Sequence, residues 1–492
     1  MTKYKVAFFC AFVISSFAFL ANPFHGVPGT DSSIFIYVAR GLQRGIIPYR
    51  DVFDQKGLLI YLIDYVGVLI GGVWGLWLLD VICILTGIFI MWKVLQYSMG
   101  CISQEHEYES EIRYAALGLI LLFYHVVACG GNMPEMWIVV FSGIAWMIVV
   151  QSIVLSRVTV GTLLGMGMCL ALIGLLKFNM LAVAVPVGIV ALTDGGRIGV
   201  KFKEQVRNLF AVLVGLAVVL VPVVIWFFVN GALDEFFEVY VIYNAKYASV
   251  LREMRSENIF DYTGRAFWPV FFVVVANIYM INDFHRKKAR REIDARPIWI
   301  VWLNLLFLVI SFGLILFSGA SHRYYGPILP ACIIPIWFIL NRFKLKLPVT
   351  AGILIFCLLA ISGLVFMRNR GDAQSQYVHL REMGDKIGLT GSNSVLVLGC
   401  DCHAYWALGA WCPTRFPFQG TIGYCSQRYR QQIINDIKMS KAEWIIEPKG
   451  VLDTEGALGV SWAKEVVFSQ YSLIARNDGY GIWRRKENKS SE

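Results

Sequence analysis

Apolar residues fall along this chain in long runs separated by short polar connectors. Runs of about twenty such residues are long enough for a helix to cross the hydrocarbon of a bilayer. On that pattern the chain predicts spans at 5–22, 74–97, 114–130, 135–155, 159–176, 178–194, 208–230, 267–284, 298–318, 325–341 and 349–367. Gly57 to Gly72 (GLLIYLIDYVGVLIGG) is apolar too, but it is short for a span and carries Asp64. It is expected to form a helix lying on the membrane surface.

Two regions break the rhythm. Pro28 to Tyr61 is a polar stretch of unusual length between two apolar runs. Within it Ile34, Tyr37, Val38, Gly41 and Leu42 recur at helical spacing with arginines between them, which predicts a second amphipathic surface helix. The other region follows Met367. Ser394–Gly399 (SVLVLG) and Ala442–Glu447 (AEWIIE) are short apolar runs with polar flanks, as in buried strands. Arg428–Met439 (RYRQQIINDIKM) between them is helical in pattern, and Ile482–Arg485 is expected to close the sheet as an edge strand. Strands alternating with a helix imply an α/β layer.

Composition agrees with the pattern. Hydrophobic residues make up 57% of the 492, mean hydropathy is +0.60, and only 16% are charged, against about 25% in soluble proteins. The expected class is therefore a polytopic α-helical membrane protein with about 11 transmembrane helices and a C-terminal extracytoplasmic α/β domain. Residues 1–367 form the membrane module, with its first outer loop at 23–73, and 368–492 form the soluble domain. The net charge of +10 sits mostly in short connectors: Lys3 and Lys5, Arg113, Arg157, the Arg197–Arg207 stretch, the Arg286–Arg296 run, and Arg342 to Lys346. That is the bias that sets cytoplasmic loops, and it gives no reason to expect nucleic acid. The N-terminus then lies in the cytoplasm and the C-terminal domain outside, in a multi-pass protein of the bacterial inner membrane. No small-residue cleavage site precedes Asn22, so the first apolar run is expected to be retained. Cys400, Cys402, Cys412 and Cys425 cluster in the polar tail, where disulfides or free thiols fit better than a metal site.

Candidate chemistry concentrates at the predicted outer edge. Asp31 follows the first span; it is placed either to cap a helix or to act as a general base on an arriving hydroxyl. Asp51, Asp54 and Lys56 stand together in YRDVFDQKGLL. The lysine there suits a phosphate as a point charge, but it also suits a snorkelling flank or a partner of Asp54. Glu135 follows Gly130-Gly131-Asn132-Met133-Pro134 at a membrane edge, either as a functional acid or as a helix N-terminal charge. Lys177 interrupts an apolar stretch where the chain turns outside, and His322-Arg323-Tyr324-Tyr325 opens a later span. Arg323 can grip a phosphate or anchor at the interface. The chain has no phosphate-cradling loop and no dinucleotide fingerprint.

The order of these features resembles a known family. A first span, an Asp heading a helix with Tyr37 and Ala39, then Gly45, Pro48-Tyr49, Asp51 and FDQKGLLIY is similar to the multi-spanning lipid-linked-sugar glycosyltransferases. These form the GT-C superfamily, and the likeness is to the branch with protein O-mannosyltransferases and the lipid A aminoarabinose transferase. The resemblance implies a GT-C-like fold with Asp31 as catalytic carboxylate and Lys56 as an active-site lysine. The expected donor-phosphate ligands are Lys56, Lys177 and Arg323, and Asp51, Asp54, Glu135 and Tyr324 are expected to position sugar or acceptor. This chain has Gly57-Leu58 where that branch often has prolines, and Ser32 where the family often has a second acid. The implied activity moves a sugar from a polyprenyl-phosphate carrier to a glycan, lipid or protein acceptor, with inversion. No cofactor is required, although the converging carboxylates leave room for a divalent metal. A transporter or flippase, or a polysaccharide polymerase or ligase, would share the membrane setting. The first predicts charges near the bilayer midplane, the second a large basic, histidine-bearing outer loop.

Overall fold

The computed structural model describes residues 2–20, 30–102, 109–128, 130–197, 199–255, 259–291, 293, 295–317, 322–343, 376–439, 441–456 and 459–486. The predicted span at 349–367 lies outside the described residues. The N-terminal two-thirds is helical: α1 (Thr2–Phe19), α2 (Thr30–Leu42), α3 (Leu58–Gly71), α4 (Val73–Ile102), α5 (Glu109–Ala128), α6 (Pro134–Leu155) and α7 (Val160–Lys177) come first. They are followed by α8 (Ala184–Leu192), α9 (Phe202–Val229), the one-turn α10 (Leu233–Phe236), a π-helical turn Phe237–Tyr243, and α11 (Asn244–Arg255). After these come α12 (Ile259–Ala289), α13 (Arg296–Phe317), a 3-10 turn His322–Ile328 and α14 (Leu329–Arg342).

Among the described residues six segments are long and apolar enough to cross a membrane: Val73–Met99, Pro134–Leu155, Val160–Met180, Phe202–Val229, Arg296–Ile315 and Tyr325–Arg342. Their outward faces carry exposed Leu, Val, Ile and Phe, as on Phe210, Leu213 and Val221 of α9, which in a bilayer meet lipid. Trp146, Trp337, Tyr124 and Phe307 are fully buried between the helices.

Three expectations change. The predicted span at 178–194 is broken: a 3-10 turn, Phe178–Met180, follows α7, and α8 has only nine residues. Asn179 and the turn at 181–183 interrupt the helix where hydropathy alone sees a continuous run. The helix in the first loop does not lie open on a surface. Every residue of α2 from Ser32 to Ala39 is buried, because the helix lies between α3 and the C-terminal domain, where Tyr37 packs on Tyr405 and Trp411. The last strand is interior rather than edge.

The C-terminal part has a helix over 376–386 (α15), β1 (Val395–Val397), α16 (His403–Leu408), α17 (Gly420–Cys425), α18 (Gln427–Lys438), β2 (Trp444–Pro448), α19 (Lys464–Gln470), β3 (Tyr471–Arg476) and β4 (Tyr480–Arg485). The four strands make one sheet of order β1-β2-β4-β3. β1 runs parallel to β2, with Leu396 beside Ile445, while β4 lies antiparallel between β2 and β3. Ile482 and Trp483 are buried for that reason, and the exposed Leu473 and Ile474 mark β3 as the edge. β3 lacks the apolar run that identified its neighbours.

Candidate active site

Asp31 occupies the first turn of α2. A helix N-terminus favours negative charge, so capping and chemistry are compatible there. Asp31 is partly exposed, and its charge reaches two groups: the Asp54 carboxyl and the Cys400 thiol of the C-terminal domain. The loop that follows β1 therefore faces the start of α2.

The segment from Ile47 to Gly57 carries the second carboxylate and the cation. It begins with a tight turn in which Tyr49 adopts φ +69°, a region that side chains avoid. Tyr49 N–H donates to Val52 O at 2.8 Å, and the Tyr49 ring is enclosed by Tyr61, Phe227, Phe236 and Tyr240. Asp51 closes this turn. It accepts the Ile47 N–H at 2.8 Å and pairs with Arg50 at 2.8 Å. Burial raises the Asp51 pKa, but Arg50 and the backbone donor outweigh it, and the carboxyl ends below its ordinary range. Asp51 thus stabilises its own turn and is not paired with Lys56.

Asp54 points inward. It is almost fully buried and accepts a 2.6 Å hydrogen bond from the Tyr61 hydroxyl on α3. The Lys56 ammonium stands 4.0 Å from its other oxygen, Oδ1, which accepts no hydrogen bond among the described residues. Burial pushes the Asp54 carboxyl up; Lys56 and Tyr61 offset part of this, and the charge on Asp31 adds to it. Lys56 also lies 5.7 Å over the Phe35 ring, and its carbonyl accepts from Tyr49 Oη at 2.7 Å. The next residue must be glycine for a steric reason. A Cβ on Gly57 would come within 1.9 Å of the Leu175 carbonyl, so the loop presses against the end of α7.

That same end of α7 carries Lys177, whose ammonium is 2.6 Å from Glu135 on α6. The connector into α6 turns through Gly130, Gly131 and Asn132, all at positive φ. A Cβ on Gly131 would meet Asp80 Oδ2 at 2.4 Å. The turn aims the Asn132 N–H at Asp80 (2.8 Å) and its amide at Asp64 (2.8 Å) and at the Ser32 hydroxyl. One asparagine thereby ties α2, α3 and α4 together beside Asp31. Sequence reasoning noticed Asp64 only as a charge in an apolar run and passed over Asp80 and Asn132. An acid within an apolar helix was the available signal.

Asp31, Asp54 and Lys56 are thus brought together, and the Lys177–Glu135 pair stands behind them on α7 and α6. Arg323 and Tyr324 lie on the 3-10 turn before α14, and their side chains are outside the described residues. Cys400, Cys402, Cys412 and Cys425 carry free thiols, and among the described residues no His, Cys, Asp and Glu group of three is set for a metal ion. The C-terminal domain seals the site from the side. Tyr37 of α2 packs on Tyr405 and Trp411 and accepts the Cys412 N–H at 3.1 Å, while Arg40 and Arg44 lie over Trp411.

A family model described as "Putative competence-induced protein Ccs4 N-terminal domain" matches residues 1–351, most of the chain and all of this loop. The chain belongs to that family. The Ccs4 N-terminal domain match stops before the sheet-bearing part. The Ccs4-type chain also shares its fold with ArnT from Cupriavidus metallidurans in two crystal structures. The structure bound to undecaprenyl phosphate aligns at TM-score 0.60 and 11% identity over 100% of both chains. The apo structure aligns at TM-score 0.60 and 12% identity over 98% of both. At such identities the likeness is one of fold, and the fold is ArnT-like. No curated protein matches the sequence.

Proposed function

We propose that the chain is a membrane glycosyltransferase that moves a sugar from a polyprenyl-phosphate carrier to an extracytoplasmic acceptor, with inversion at the anomeric carbon. The observation that carries this reading is Lys56 at 4.0 Å from the buried Asp54, whose carboxyl also feels the charge of Asp31 at the head of α2. The ArnT-like fold supports it at the level of architecture.

In this reading Asp31 removes the proton from the acceptor hydroxyl as its oxygen attacks the anomeric carbon. The bond to phosphate breaks, its electron pair leaves with the phosphate, and Lys56 neutralises the charge that builds there. Attack and departure on opposite faces invert the configuration, as in one-step glycosidases. Lys177 is held by Glu135 at 2.6 Å and Lys56 stands 4.0 Å from Asp54; in this reading Lys56 meets the phosphate first. On the turn before α14, Arg323 enters as a further donor-phosphate ligand and Tyr324 as a group that positions sugar or acceptor. Asp54, with an oxygen that accepts no hydrogen bond among the described residues, orients Lys56 or a sugar hydroxyl. The membrane module would sit in the inner membrane with the N-terminus inside and the sheet-bearing domain outside.

The test is transfer from polyprenyl-phosphate sugars by purified protein. Asp31→Asn should bind the carrier and lose about 100- to 10,000-fold in transfer, the usual worth of a positioned base. Wild-type rates in that variant would remove the base. The broken segment at 178–192 and the buried Asp80 favour a transporter as second reading. A transporter would move the lipid-linked sugar across the bilayer without consuming it.

A further inference from the structure

Arg415 sits between α16 and α17 of the C-terminal domain, 366 positions along the chain from the residue it holds. Its Nε donates to the Tyr49 carbonyl at 2.9 Å, and its Nη2 donates to the same oxygen. Its own carbonyl accepts the Phe53 N–H at 2.8 Å, and its guanidinium lies 5.3 Å over the Phe53 ring. One residue therefore grips both ends of the Tyr49–Phe53 turn. The Phe53 ring is in turn clasped by Phe416 and Tyr429.

The turn it grips is strained and connected. Tyr49 holds φ +69°, a conformation that persists only where its surroundings impose it. The Tyr49 hydroxyl donates to the Lys56 carbonyl at 2.7 Å. Asn244 fixes the intervening Gln55 carbonyl at 2.6 Å. A path of hydrogen bonds thus runs from Arg415 to the Tyr49 carbonyl, and through the Tyr49 hydroxyl to the backbone of the lysine.

We propose that Arg415 is a positioning residue that, acting through Tyr49, sets the Lys56 ammonium for the phosphate of a polyprenyl lipid, so that the C-terminal domain is part of the binding site rather than an appended module. This rests on the glycosyl-transfer reading of Lys56. Arg415 touches no ligand itself. Its effect passes through the backbone of residues 49–56, and must therefore vanish when Lys56 has no charge to place or the lipid has no phosphate to meet.

The experiment titrates the full-length chain, in lipid nanodiscs, with undecaprenyl phosphate and with undecaprenol, which lacks the phosphate. Arg415→Gln should weaken undecaprenyl phosphate about tenfold, the scale of one charge-assisted hydrogen bond, and leave undecaprenol unchanged. Tyr49→Phe keeps the packing and the gripped carbonyl but removes the hydroxyl, and should do the same. It also serves if Arg415→Gln fails to fold. Arg415→Lys, which can still donate to the Tyr49 carbonyl, should recover part of the loss. In a Lys56→Gln background neither substitution should weaken binding further. The proposal is overturned if Lys56→Gln weakens phosphate binding while Arg415→Gln and Tyr49→Phe bind as wild type, if the losses add to that of Lys56→Gln, or if undecaprenol weakens equally. Wild-type binding by Lys56→Gln itself overturns both the proposal and the role of Lys56 beneath it.

Discussion

Two lysine–carboxylate pairs meet the C-terminal turn of α7, and they differ in one respect that matters. Lys177 and Glu135 stand 2.6 Å apart between two packed helices, a closed ion pair. Lys56 and Asp54 stand 4.0 Å apart on a loop, with Asp54 Oδ1 accepting no hydrogen bond among the described residues and Asp31 within electrostatic reach. A buried ion pair at contact distance has its desolvation offset mainly by its own partner. A pair held at a longer distance retains electrostatic capacity for a third group. The tight pair therefore suits a brace between α6 and α7, the loose one a site. Side-chain burial is nearly the same for both pairs; distance separates them.

The largest effect expected from this difference is on stability. Lys177→Met leaves Glu135 buried without its lysine and should cost about 3–5 kcal/mol of folding free energy, read as a lowered melting temperature in detergent. Replacing both partners together, Lys177→Met with Glu135→Met, should restore most of that loss, because neither charge then needs a partner. A double variant as unstable as the single one would mean that the pair does more than brace.

Lys56→Gln should behave in the opposite way. Melting should change little, because the residue is on a loop and its partner is 4.0 Å away, whereas undecaprenyl phosphate should bind about tenfold more weakly or worse. Adding Asp54→Asn should not restore binding. Recovery in that double variant would turn the loose pair into a second brace.

The smallest effect is a slope with pH. The Asp54 pKa is raised by burial, so its proton is bound more firmly in the folded chain than in the unfolded one. The stability it contributes is full below the ordinary carboxylate pKa of about 4 and is lost as pH rises through the raised value. Asp54→Asn should flatten that part of the melting-temperature profile. An unchanged slope would assign it to another group.

Much of the membrane module was legible because hydropathy is a long-range average, and helices such as α4, α6, α9 and α13 need only to be apolar. The break after Lys177 was not, since Asn179 and the turn at 181–183 are too few to lower that average. The surface placement of α2 failed for a different reason. Arg40, the arginine within it, is only partly exposed and lies over Trp411, a residue of a separate domain, while Arg44 just past its end stays exposed. Chain order predicts a last strand outermost, but β4 lies inside; its pairing with β3 at register Ser472–Arg484 has no local signal. At the site, Asp31, Asp54 and Lys56 stood out as charges beside a membrane span. Arg415 and Asn132 did not, because a hydrogen bond to a distant carbonyl or carboxylate leaves no trace in spacing. What the sequence displays is the charge; what it hides is the frame that aims it.

A structure of the full chain with undecaprenyl phosphate bound tests the central claim most directly. The phosphate should lie within hydrogen-bond reach of Lys56 Nζ, on the side that Asp31 faces. A phosphate seated elsewhere, with Asp31 and Lys56 remote from it, would contradict the account.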